Sequence, residues 1–291
     1  MQNDKLLADI QSDDKDVRFA AWRAAGDADP SAIAALSKLV DLKDKPGVAK
    51  AAREAIITMT HSVGKDTAHP KRAAVNKELL AVATADTSSN AARIHCLRLL
   101  SNIAPEASVP ALAKLLANAD LQEEAIYAIE RIPGVASNKA LTAAYRPAKD
   151  DFKPRILGAL GHRRAEDAVP LCLEAMRSTN ETIAIAGARA FGRIGKKVAT
   201  VNWPKTVEPD SILRYADGLR DSGNAADALR VYKTMLARTE EHLQCAAIVG
   251  IARMGSPEAA AAIHPMLKNS NARVRITAQQ AWRRMAASPS A

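Results

Sequence analysis

A leading hydrophobe, a run of small apolar residues and often a glycine recur along this chain at a near-constant step. From Asp16 to Gly26 the run reads DVRFAAWRAAG, and from Asn271 to Met285 it reads NARVRITAQQAWRRM. The leading hydrophobes are Val17, Val48, Ala92, Leu121, Phe152, Ile183, Leu213, Leu243 and Val274, and seven of their eight successive steps are 29–31 residues; the other is 44. A second apolar marker eleven residues after the anchor (Ile103, Ile132, Ile194, Met254, Met285) keeps the same period. Two positions sharing one rhythm restrict the chain to an array of like units stacked on their neighbours.

Each unit carries two helical stretches. The first shows in PALAKLLA (Pro110 to Ala117) and VPLCLEAM (Val169 to Met176), the second in ARIHCLRLL (Ala92 to Leu100) and IAIAGARAF (Ile183 to Phe191). Their apolar residues recur at three- and four-residue steps, the helical period. Composition agrees: hydrophobic residues make up 48%, many of them alanine, and aromatics only 3%, which favours helix and starves strands. Asp16, Asn90, Asp120, Asp151, Glu181, Glu241 and Asn271 stand where second helices begin, as capping or dipole-offsetting residues do. Gly26, Gly195 and Gly255 stand where helices must stop and turn.

Three linkers carry a family likeness: PEASVPAL (Pro105 to Leu112), AEDAVPL (Ala165 to Leu171) and SPEAAAAI (Ser256 to Ile263). With the Val-Arg pairs at Val17–Arg18 and Val274–Arg275 and the ending AFGRIG (Ala190 to Gly195), they resemble the short bacterial HEAT-like repeat, the type found in phycobilin lyases. The resemblance spans nearly the whole chain. It implies an all-α, right-handed α-solenoid of about nine two-helix repeats forming a single domain over 1–291, with the second helices lining the concave surface. It also implies that Arg18 and Arg275 pair with caps on neighbouring units. Residues 211–239 are instead similar to a tetratricopeptide-type hairpin, through Tyr215, Ala216, Gly223, Ala228 and Tyr232.

Two segments break the rhythm. The 44-residue step places about 13 extra residues within His61 to Arg72, expected as a loop, or a longer helix end plus a loop, over 61–75. In 196–210 the period holds but the first helix is missing, because two prolines and β-favouring residues argue for an extended segment. This segment offers Lys196, Lys197, Trp203 and Lys205 as a contact loop; alternatively Trp203 plugs the gap left by the absent helix.

The chain holds 41 basic and 32 acidic residues, a net +9, with the excess in its second half. Ten residues after successive anchors stand Arg131, His162, Arg193, Arg253 and Arg284, so stacking should align them as a row. Arg98, Arg155, Arg189 and Arg283 could widen it. Such cations suit an acidic partner; they also complement helix C-termini at roughly 0.3–1 kcal/mol each. The favoured function is therefore a non-catalytic scaffold that binds a protein partner, with nucleic acid or another polyanion as the alternative.

Catalytic and metal motifs give no competing signal. G-x-S-x-G, H-E-x-x-H, the P-loop and G-x-G-x-x-G are absent from the sequence. A HEAT-like DNA glycosylase or a lyase subunit is disfavoured, since the three tryptophans lie far apart and the lyase rests on repeat type alone. No cofactor or metal is expected. His61 and His69 lack further ligands, and Cys96, Cys172 and Cys245 sit in apolar helical runs as small hydrophobes. With no long apolar run and an N-terminus unlike a signal peptide, a soluble protein is expected, cytoplasmic, or exported if a leader has been removed.

Overall fold

The computed structural model describes residues 2–287, and among these all regular structure is helical. They fall into two compact units, Met1–Ala148 and Lys149–Ala291.

The first unit contains α1 (Gln2–Ile10), α2 (Lys15–Ala24), α3 (Ala32–Ser37), α4 (Pro46–Gly64), α5 (Arg72–Thr84), α6 (Asn90–Ile103), α7 (Val109–Ala113), α8 (Gln122–Arg131) and α9 (Val135–Tyr145). The anchor helices α2, α4, α6 and α8 pack in succession, and α1, α3, α5, α7 and α9 form a second layer against them. The anchors Val48, Ala92 and Leu121 are buried, and so are Ala21, Ala52, Cys96 and Ala125, four residues after each anchor. Small side chains at this position let neighbouring helices close on a shared seam. Val17 differs from the other anchors, at 37% exposed.

The second unit contains α10 (Lys153–His162), α11 (Val169–Ala175), α12 (Glu181–Ile194), α13 (Pro209–Asp221), α14 (Ala225–Leu236), α15 (Glu241–Ala252), α16 (Pro257–Ile263) and α17 (Ala272–Ala287). Here α10, α12, α13, α15 and α17 follow one another in contact. The expected tetratricopeptide-like hairpin forms as α13 and α14, which pack together, with α14 also against α15. Its lock is the fully buried Tyr232, whose hydroxyl donates to Asp217 and accepts from Arg220 at 3.1 Å.

The extra residues of the first unit are mostly helix. α4 runs 19 residues and α5 runs 13, leaving only 65–71 as loop. Arg72 makes this economical: it donates to the terminal carbonyls of α4, Val63 at 2.9 Å and Gly64 at 3.0 Å, acceptors that a helix end leaves open.

Two expectations need correction. The arginines one residue after an anchor do not reach caps on neighbouring units. Arg18 donates to the Ser12 carbonyl at 2.6 Å, Arg93 to Ala83 at 3.1 Å and Arg275 to Asn269 at 2.6 Å. Each thus closes the loop or helix end just upstream, where a guanidinium satisfies carbonyls the backbone cannot. Capping is also offset. Asn271 does cap α17, accepting from the Arg273 and Val274 amides. For other second helices the side-chain caps are Asp14, Ser89 and Asn180, while Asp16 and Glu181 lie in the first turn, where their charge offsets the dipole, and Asn90 there donates to Asp120 at 3.0 Å.

Candidate arginine cleft

Three helices of the second unit end close to one another. α10 ends on Gly161 and His162, α12 carries Arg193 in its last turn, and Arg253 directly follows α15. Close approach is written into the glycines. A Cβ on Gly161 would lie 2.8 Å from the Cα of Ala190, so α10 and α12 touch through backbone. With Arg164, and with Arg214, Asp217, Gly218, Arg220 and Asp221 of α13, these residues line an open cleft of about 460 Å³.

Charge in the cleft is unbalanced. Its five arginines face two aspartates, and both aspartates are already engaged. Arg220 reaches Asp217 and Asp221, each at 2.7 Å. Arg214 turns to Asp210 at 2.6 Å. Among the described residues, Arg164, Arg193 and Arg253 have no ion pair. Arg164 and Arg253 are exposed and Arg193 is half-buried. The helix dipole accounts for a cation in the last turn of α12, but not for Arg164, which lies beyond the end of α10.

Arg164 is also the one non-glycine among the described residues with left-handed backbone, at φ 50°. The Ala165 amide donates to Leu160 and the Arg164 amide to Gly161, closing α10 with the cap that usually places glycine here. Counted from the anchors, Arg164 matches Gly195 (φ 68°) and Gly255 (φ 65°). An arginine in this conformation costs roughly 1 kcal/mol more than glycine.

The other expected residues have varied settings. Arg253 and Arg284 line a second pocket of about 310 Å³ with Val249, Thr277 and Gln280. Arg283 is exposed on α17, and Arg155 is half-buried on α10; neither lines the cleft. In the first unit Arg131 lies over the Tyr127 ring at 5.4 Å, and Arg98 pairs with Glu124 of the next anchor helix at 2.6 Å. Arg189 holds Glu208 through two hydrogen bonds, one of 2.8 Å, and keeps that carboxyl below its ordinary range.

The segment between α12 and α13 is non-helical, and its first residues are tied down. Lys196 meets Glu166 at 3.0 Å and Lys197 meets Asp227 at 2.6 Å. Lys205 is exposed. Trp203 is half-buried, its ring 5.7 Å from Phe191 and 5.8 Å from Tyr215. His61 is exposed and His69 half-buried, and no metal-holding group of side chains occurs among the described residues. Burial pushes the Cys96 and Cys172 thiols up to about 12, so both act as apolar packing groups.

Sequence reasoning had placed His162, Arg193 and Arg253 together but missed Arg164, Arg214 and Arg220. The signal for Arg164 was present: at the twelfth position after the anchor it interrupts a pattern that elsewhere supplies Gly195 and Gly255.

No protein-family model matches the chain, and no curated protein matches it. Solved structures similar to it include an engineered protein at 18% identity, covering 99% of this chain and 90% of the other with a TM-score of 0.42. Another is the complex of CpcE and CpcF of phycocyanin lyase from Nostoc sp. PCC7120, at 17% identity, 98% and 95% coverage and TM-score 0.36. A second engineered protein has 16% identity, 99% and 97% coverage and TM-score 0.23.

Proposed function

We propose that this chain is a binding scaffold whose second unit holds an acidic segment of a protein partner in the arginine cleft. One observation carries the reading: Arg164, Arg193 and Arg253 share a cleft whose two carboxylates, Asp217 and Asp221, are already held by Arg220. Like charges collected in a concavity repel one another and focus the field on an incoming anion. Guanidinium forks match carboxylate oxygens in pairs. Neighbouring helix axes lie about 8–10 Å apart, and an extended peptide covers that distance in about three residues, so acidic side chains spaced along one strand can meet successive helix ends.

Nucleic acid is the second reading, since phosphates use the same forks. The carboxylates Asp217 and Asp221 within the cleft, and Asp210 paired to Arg214 at its edge, favour a short acidic peptide over a long, uniformly charged duplex.

The test compares a fluorescent oligo-glutamate peptide with a duplex oligonucleotide at low salt. The peptide should bind the native protein. The double change Arg193→Glu/Arg253→Glu should weaken it at least tenfold while moving the melting temperature by less than about 2 °C. Tighter binding of the duplex, falling by about 0.9 log units per log unit of salt for each phosphate contacted, would transfer the assignment to nucleic acid. Binding of neither probe would end both.

A further inference from the structure

Resting on that reading, we infer that Arg164 is the residue that grips the partner's oxyanion, and that its strained backbone serves this placement. The turn after α10 is built for glycine: the Ala165 amide closes on the Leu160 carbonyl at 3.0 Å. The same pair of bonds recurs after α13, where Gly223 holds the left-handed position and the Asn224 amide closes on Leu219 at 2.8 Å, and the matching repeat positions after α12 and α15 hold Gly195 and Gly255. An arginine is harder to hold in that conformation than glycine, so its presence needs a reason in the side chain.

The fold supplies no such reason. The Arg164 side chain is exposed and makes no ion pair among the described residues. This separates it from Arg18, Arg72, Arg93 and Arg275, whose guanidiniums satisfy backbone carbonyls. It also separates it from Arg98, Arg189 and Arg220, which hold carboxylates of the chain itself. Arg164 lines both the main cleft and a hollow of about 380 Å³ beside it, bordered by Lys196, Lys197 and Asn224. Gly218 and Asp221 also border both, and the second hollow holds Glu166, which Lys196 pairs, so Arg164 is the cation common to the two.

The group recognised is an acidic side chain with paired terminal oxygens, a carboxylate or a phosphoserine. Both accept two parallel hydrogen bonds from one guanidinium, and a phosphoserine carries nearly twice the charge to set against Arg193 and Arg253.

Two fluorescent peptides of equal length, one of glycine-spaced glutamates and one with phosphoserine at its centre, are titrated against the native protein, Arg164→Gly and the Arg193→Glu/Arg253→Glu double variant. Arg164→Gly should lose about tenfold in affinity for one or both peptides and melt no lower than the native protein. The peptide showing the loss identifies the source, carboxylate or phosphate. Undiminished affinity in Arg164→Gly, with binding lost in the double variant, overturns the role of Arg164 and leaves the scaffold reading standing. A lower melting temperature accompanying the affinity loss overturns it too, since the arginine would then be structural. If the double variant also binds normally, both readings fall.

Discussion

Gly195 and Gly218 meet backbone to backbone where α12 ends against α13. A Cβ on Gly195 would lie 2.5 Å from the Cα of Gly218, and Gly195 also needs its left-handed φ of 68°. Gly195→Ala therefore meets two separate penalties, left-handed strain of roughly 1–2 kcal/mol and overpacking of about 1–3 kcal/mol. Urea unfolding should show a loss of about 2–5 kcal/mol. Gly255→Ala, with the same φ class but open space around it, should lose only the strain component. Equal losses at the two sites would show that the α12–α13 approach is not close-packed.

Trp203 packs in the extended segment between α12 and α13, and its expected role is that of a plug. Its contacts with Phe191 and Tyr215 join α12, α13 and the extended segment in one aromatic cluster, and Phe191 is fully buried. Trp203→Ala should destabilise the protein by about 2–4 kcal/mol, a little under the range for a wholly buried aromatic. Oligo-glutamate binding measured well below the new melting temperature should be unchanged. Intact stability with lost binding would make Trp203 a contact residue instead of a plug.

The repeat was legible because stacking imposes one rule many times: the anchor and the position four residues later are apolar or small in eight of nine units, Leu213 with Asp217 being the exception. The turn at Arg164 was harder to read because its one mark is the break in a repeat position that holds glycine at Gly195 and Gly255. The ion pairs of Arg98 and Arg189 were also beyond the one-dimensional pattern, since Glu124 and Glu208 lie 26 and 19 residues away. Position in the repeat identified a basic row, but only packing could sort its members into those that tie helices together and those that face an open cleft.

Arg93 is a charged side chain inside the first unit, only 5% exposed. Its Nε donates to the Ala83 carbonyl at the end of α5, and its Nη1 lies 3.2 Å from Asp86. Methionine fills similar volume but cannot donate, so Arg93→Met leaves the carbonyl unsatisfied. The expected loss in denaturant unfolding is about 1–3 kcal/mol. Arg98→Met, whose own side chain is largely exposed in its pair with Glu124, should lose less than about 1 kcal/mol.

His95 makes the first unit sensitive to mild acid. Burial pushes its pKa down to about 4, with the charges of Arg53 and Arg98 acting the same way and a hydrogen bond to the Arg53 backbone opposing them. Its Nε2 is buried without a hydrogen-bond partner among the described residues, so a second proton would have nowhere to bond. The unfolded chain, with an ordinary histidine near 6.5, binds that proton first. The stability owed to neutral His95 is therefore complete above about pH 6.5 and is lost as the pH falls toward 4, where the folded form also protonates. Between pH 7.5 and 5 this amounts to about 2 kcal/mol. His95→Leu removes the titration while keeping an apolar side chain of similar size, so its urea midpoint should fall less between those two pH values than that of the native protein. Identical pH dependence in the two proteins would show that His95 takes up its proton in the fold as readily as in water.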